Sequence, residues 1–292
     1  MADDHAYQAI SAYDSTLIHT PNIDRLANEG MRFDQAFVTN SICSPSRAVI
    51  LTGKHSHLNG VRNNMDIFDS TQQTFPKLLQ QSGYETAIVG KWHLKSQPTG
   101  FDFWNVLPGQ GYYYKPQFKT SEGVVEKEGY VTNIVTDISI DWLEERKQTD
   151  KPFMLMIHHK APHREWLPPP ENLKNFKDGD YPEPPTLFDD YVGRGTAANE
   201  AEMRIQEHMG YTNDNKVLPH IMNQLGLTEF SHGISMLSKQ LYKNDSRRTN
   251  ALGFCLLSED SYIRSEYTGR RGFDQMEIPT LYGRLPVNYK IG

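Results

Sequence analysis

With 292 residues, 37% hydrophobic and 11% aromatic, the chain is long enough to bury one large α/β domain or two small ones. A formal net charge of −6 with no basic stripe excludes the electrostatic footprint of a nucleic-acid-binding protein. Two cysteines, Cys43 and Cys255, are too few for a disulfide framework, and no apolar run is long enough to span a membrane. The start, Met1-Ala2-Asp3-Asp4-His5, is acidic and lacks the apolar core of a signal peptide.

Thr20-Pro21 followed by Gly30 brackets a helix, with a cap, a proline in its first turn and a closing glycine. Residues 36–39 suggest a short strand, followed by a loop that holds Cys43. A helix is expected over 46–52, stopping at Gly53, and another over 74–82, with Pro76 in its first turn. Thr86-Ala87-Ile88-Val89-Gly90 is a compact apolar run, as in a buried parallel strand. The clearest helix covers 132–148, where Ile134, Ile138 and Trp142 recur every four residues. A second buried strand follows at 153–157. Helix, turn and strand in succession predict a mainly parallel sheet covered on both faces. Pro168-Pro169-Pro170 and Pro182-Glu183-Pro184-Pro185 mark a long loop. Helices are then expected at 197–209 and 217–225, and from 231 to 292 no alternation extends the sheet.

Cys43-Ser44-Pro45-Ser46-Arg47 is the strongest chemical signal. A cysteine just ahead of a helix sits where backbone N–H groups and the helix dipole favour an anion. Arg47 could grip that anion with two N–H groups. A cysteine-dependent phosphatase loop has five residues between its cysteine and arginine, and here there are three. A buried structural cysteine is the plain alternative. Lys91, at the end of an apolar strand, stands where open α/β sheets place ligands.

Four segments carry a resemblance to a known family. Cys43-Ser44-Pro45-Ser46-Arg47, running on to Leu51-Thr52-Gly53, resembles the first motif of the type I sulfatases. Gly83-Tyr84-Glu85-Thr86, continuing to Gly90-Lys91-Trp92-His93, resembles the second. Asp3-Asp4-His5 is similar to the family's metal-binding aspartate pair, and His158-His159-Lys160-Ala161-Pro162-His163 to the strand end that delivers a substrate-facing histidine. The resemblance implies an alkaline-phosphatase-like α/β/α sandwich and a sulfuric ester hydrolase in which Cys43 is oxidised to formylglycine by a formylglycine-generating enzyme. It implies Ca2+ held by Asp3, Asp4 and residue 43. It implies sulfate contacts from Arg47 and Lys91, a hydrogen bond from His93 to the modified residue, and His163 as proton donor or sulfate contact. His57-Leu58-Asn59-Gly60-Val61 and Asn63-Asn64-Met65-Asp66 look most like bacterial sulfatases acting on amino sugars, so the implied partner is a sulfated carbohydrate such as N-acetylglucosamine 6-sulfate. Family members are usually exported, periplasmic or lysosomal, and this chain's own location stays open.

The resemblance is incomplete. No strand is expected ahead of Asp3, and the family's downstream Ser/Ala-Asp-x-Gly strand has no match. Tyr211-Thr212-Asn213-Asp214-Asn215 is followed by Lys216, and Asp274-Gln275 by Met276. The reading is therefore of a partial sandwich truncated at both ends. Residues 1–230 form the catalytic part, best matched over 1–165, and 231–292 an unassigned tail, disordered or foreign. Impaired turnover is expected. Two alternatives stand beside it: a phosphatase or phosphodiesterase of the same superfamily, which would use serine or threonine, and a non-catalytic remnant that binds sulfated glycans.

Overall fold

The computed structural model describes residues 1–169, 171–172, 181–182, 184–187, 189–202, 208–210 and 214. They belong to two compact units, Met1–Leu167 and the chain from Pro168 onward. No described helix is long and apolar enough to cross a membrane.

In the first unit, β1 (Glu85–Lys91), β2 (Phe103–Leu107), β3 (Gln117–Thr120), β4 (Gly123–Glu126) and β5 (Phe153–His158) form one sheet in the order β4-β3-β2-β1-β5. β1 is parallel to both its neighbours, with Ile88 opposite Trp104 on one side and Met156 on the other. β3 and β4 add an antiparallel hairpin outside β2. Alternate side chains of the parallel strands feed opposite faces. Ile88, Val106, Met154 and Met156 pack with Ala48, Leu51 and Phe75, while Val89, Leu107, Leu155 and Ile157 pack with Val131, Val135 and Ile138. Those partners come from α2 (Cys43–Thr52) and α4 (Phe75–Gln81) on one face and α5 (Val131–Glu145) on the other. The result is the expected α/β/α sandwich. Because both faces are covered, the central strands read as unbroken apolar runs.

α1 (Pro21–Glu29) matches its sequence signals. The strand expected at 36–39 does not form; Phe37 and Val38 are strongly exposed and no described strand pairs with them. α2 begins at Cys43 rather than at 46, so the cysteine opens the helix instead of lying in a loop ahead of it. Pro45 permits this, because a first-turn N–H has no intrahelical partner to lose. α3 (Ser56–Asn59), β2 and the β3–β4 hairpin were not expected from sequence.

No strand is assigned ahead of Asp3, as expected, but three backbone hydrogen bonds tie the segment to the sheet. Met1 N donates to Ile157 O at 2.7 Å, His159 N to Met1 O at 3.0 Å, and Asp3 N to Ala161 O at 3.1 Å. These rungs lay residues 1–3 alongside the end of β5 and seat Asp3 at the sheet's carboxyl edge.

In the second unit, the helix expected at 197–209 is not continuous: α6 covers Thr196–Asn199, residues 200–202 are not helical, His208 is helical, and 203–207 lie outside the described residues. One turn gains too few hydrogen bonds to sustain itself without packing, and α6 buries no residue. Asp189 and Asp190 cap successive turns, accepting from Tyr191 N at 2.8 Å and Val192 N at 2.9 Å. The helix expected at 217–225, the boundary at 230 and the tail 231–292 lie outside the described residues.

Candidate active site

Three chain ends meet at the carboxyl edge of the sheet: the end of β1 at Lys91, the end of β5 at His158, and the first turn of α2. The strands approach closely here because of Gly90, whose φ is 102°. A Cβ at Gly90 would stand 2.0 Å from the His158 carbonyl oxygen, so no larger residue fits. Cys43 and Arg47, four residues apart, share one face of α2 and point the same way.

Asp3, Arg47 and Lys91 are at most 4% exposed and form one ionic cluster. Arg47 Nη2 donates to Asp3 Oδ1 at 3.2 Å, and Lys91 Nζ donates to Asp3 Oδ2. Lys91 Nζ also lies 3.6 Å from Cys43 Sγ. Arg47 Nη1 and His158 Nδ1 both approach the Lys91 carbonyl, and His158 Nδ1 is 3.2 Å from that oxygen. The cluster is thus braced through the backbone of β1. Ser44 ties α2 to the same frame: its N–H donates to Asn64 Oδ1 at 3.0 Å and its hydroxyl to the His93 carbonyl at 2.5 Å. His93 stands at φ 55°, a left-handed conformation uncommon outside glycine. Strain of this kind persists where surrounding contacts fix it, often at functional sites.

The electrostatics favour an anion. Burial raises the Asp3 pKa, but the Lys91 hydrogen bond and the charges of Arg47, Lys91 and His163 outweigh it, leaving Asp3 below the ordinary carboxylate value. Burial, then Lys91 and Arg47, push His93 down to about 4. Burial and Arg47 push His158 down to about 3. Burial and Lys91 also lower His163. All three imidazoles are therefore neutral near pH 7. Within the site, the buried Arg47 Nε and His93 Nδ1 have no protein partner. An orphaned guanidinium N–H beside a cationic cluster suits an oxygen of a bound ligand.

Every site residue expected from sequence falls in this region. Asp3, Cys43 and His163 offer ligand atoms within 4.8 Å of one another. Asp4, at φ 59° and mostly exposed, reaches His163 Nε2 with Oδ2 at 3.5 Å. Tyr113 supports this side, its hydroxyl donating to the His163 carbonyl. His158, Lys160, Ser44, Asn64 and Tyr113 were not singled out from sequence. His158 and Lys160 lay inside a recognised motif; their burial is what marks them, and burial depends on the fold.

The donors suit calcium only in part. Asp3 and Asp4 carry the hard oxygens that calcium prefers, whereas a thiol and an imidazole do not. Both Asp3 oxygens are already engaged by Lys91 and Arg47.

Residues 1–241 match the family profile described as Sulfatase. The chain is 54% identical over 218 residues to the N-acetylglucosamine-6-O-sulfatase of Bacteroides thetaiotaomicron, covering 73% of this chain and 38% of that protein. It is 32% identical over 175 residues to the human N-acetylglucosamine-6-sulfatase, covering 51% of this chain and 31% of that protein. Among solved structures it resembles BT4656 in complex with its substrate D-glucosamine-2-N,6-O-disulfate, with a TM-score of 0.72 and 51% identity over 77% of this chain and 46% of that one. The chain therefore spans less than half the length of these relatives.

Proposed function

The chain belongs to the sulfatase family, and from that premise we propose that it hydrolyses the sulfate ester of a carbohydrate of the N-acetylglucosamine 6-sulfate type. The observation that carries this reading is the placement of Cys43 Sγ 3.6 Å from Lys91 Nζ, against the buried Asp3–Arg47–Lys91 cluster. The names of the similar sugar sulfatases support the substrate class.

In this reading a formylglycine-generating enzyme converts Cys43, and the hydrated aldehyde supplies a hydroxyl as the nucleophile towards sulfur. Lys91 lies beside that position and Arg47 one helical turn along, so both offset charge on the sulfuryl oxygens as it builds. Their fixed pairing with Asp3 keeps them from swinging away. Neutral His93, with Nδ1 unpartnered, accepts or donates a hydrogen bond at residue 43. His163 Nδ1 donates to the Arg164 carbonyl, so Nε2 of the neutral ring is an acceptor, and His163 protonates the departing alcohol only after taking up a proton at Nε2. Asp3 and Asp4, with the oxygens created at residue 43, would hold calcium, which polarises the sulfate when bound. The described residues supply only two carboxylates, one of them shared with two cations, so calcium affinity falls towards about millimolar and turnover is low.

Co-expression with a formylglycine-generating enzyme, followed by mass mapping of the peptide around residue 43, tests the nucleophile. The expected result is a formylglycine that disappears in Pro45→Ala and Arg47→Ala variants. An unmodified thiol throughout would overturn the reading. Activity on an aryl phosphate exceeding that on the aryl sulfate would favour a phosphatase of the same fold instead.

A further inference from the structure

Lys160 is a buried cation of the site to which the proposed chemistry assigns no role. It stands just past the end of β5, and its carbonyl accepts from His163 N at 3.0 Å, so one turn carries both residues. It is only 4% exposed. Among the described residues its ammonium makes no hydrogen bond or ion pair; Nζ rests over the Tyr113 ring, 4.7 Å from the centroid. A cation–π contact offsets only part of the cost of removing an ammonium from water. Burial and the repulsion of Lys91 act against its charge, while Glu165, Asp3 and Cys43 favour it.

The charge balance of the site is therefore uneven. Arg47, Lys91 and Lys160 are three buried cations, and Asp3 is the buried carboxylate they face, already shared by the first two. Buried charges persist when something pairs with them. We propose that Lys160 is a sulfate-binding residue whose ammonium takes a sulfuryl oxygen left unshared by Arg47 and Lys91. The inference rests on the sulfatase reading above and adds a contact to it. It gives the pocket the excess positive charge that a sulfate group requires, and Tyr113 keeps the ammonium parked while the site is empty.

Calorimetric titration of the 292-residue chain with inorganic sulfate at low chloride tests it. Lys160→Met, which keeps the length and apolar stem, should weaken sulfate binding by about tenfold or more, the range of one charge-assisted hydrogen bond. Lys160→Arg should restore most of it, and Lys54→Met, at an exposed lysine, should change nothing. Without sulfate, Lys160→Met should melt at or above the wild-type temperature, since it removes an unpaired buried charge. A Lys160→Met variant that fails to fold or melts lower would mark a structural lysine and overturn the proposal. Unchanged sulfate affinity in Lys160→Met, with binding lost in Lys91→Met, would overturn it while leaving the sulfatase reading intact. A wild-type chain that neither binds sulfate nor desulfates sugar would remove both.

Discussion

The two ends of β1 use the same ionic chemistry to opposite purpose. At the amino end, Arg146 reaches Glu85 Oε2 at 3.3 Å through both Nε and Nη2, with the glutamate side chain 29% exposed. That arginine is held redundantly, since Nη2 also donates to Lys151 O at 2.7 Å and the guanidinium lies 4.3 Å over Phe153 and 5.2 Å over Trp142. It clamps the end of α5 onto the start of two strands. At the carboxyl end, Lys91 and Arg47 share one carboxylate in near-complete burial. A pair with spare partners and water nearby fastens a fold. A buried set with more cations than carboxylates holds a place for an anion.

That contrast can be broken most forcefully at Asp3. Asp3→Asn leaves Arg47 and Lys91 buried without a counter-charge and should cost about 3–5 kcal/mol in urea denaturation. Added sulfate should recover part of the loss. A cost below about 1 kcal/mol would mean that the carboxyl-end cluster is as dispensable as a surface pair.

Acidification should weaken the carboxyl end next. His158 and His93 are held near 3 and 4 in the fold, against about 6.5 when unfolded. Between those values the unfolded chain binds protons that the native chain refuses, so stability falls as pH drops below about 6.5. From pH 6.5 to 5 each histidine contributes a loss of up to about 2 kcal/mol. Asp3, lowered from its ordinary value, adds a loss only in more acidic solution, as it is protonated. Urea midpoints at the two pH values should differ clearly in the wild type and less in His158→Gln. Equal slopes in both proteins would show that His158 is not buried as described.

The amino end should respond least. Glu85→Gln leaves Arg146 its carbonyl and two aromatic rings, so the expected change is under about 1 kcal/mol and shrinks with added salt. A larger loss would erase the distinction between the two ends.

How much of this was legible in the residues follows the same division. β1, β5, α4 and α5 announce themselves because local signals and long-range packing agree: proline in a first turn, an apolar stripe at helical spacing, unbroken apolar runs between breakers. β2 was missed although Trp104 and Val106 are strand formers, because Asn105 interrupts the run and its pairing to β1 is long-range. The β3–β4 hairpin carries Lys119, Glu122 and Glu126 at an exposed edge, which hides its alternation. Residues 36–39 read as a strand from composition, yet strand propensity without a partner yields none. At the site, Cys43, Arg47, Lys91, His93 and His163 were visible through family motifs. Lys160 and His158 looked ordinary, since only the tertiary fold turns a loop lysine and a strand-end histidine into buried groups facing Arg47 and Lys91.

The most direct test of the central claim, that the carboxyl-end cluster cleaves a sulfate ester through residue 43, is sulfate release from N-acetylglucosamine 6-sulfate. The assay uses protein co-expressed with a formylglycine-generating enzyme, at saturating calcium, with free sulfate quantified by ion chromatography beside a Cys43→Ala control. The account predicts slow release that depends on Cys43 and on calcium. Release at the same rate in the Cys43→Ala protein, or none in either, would contradict it.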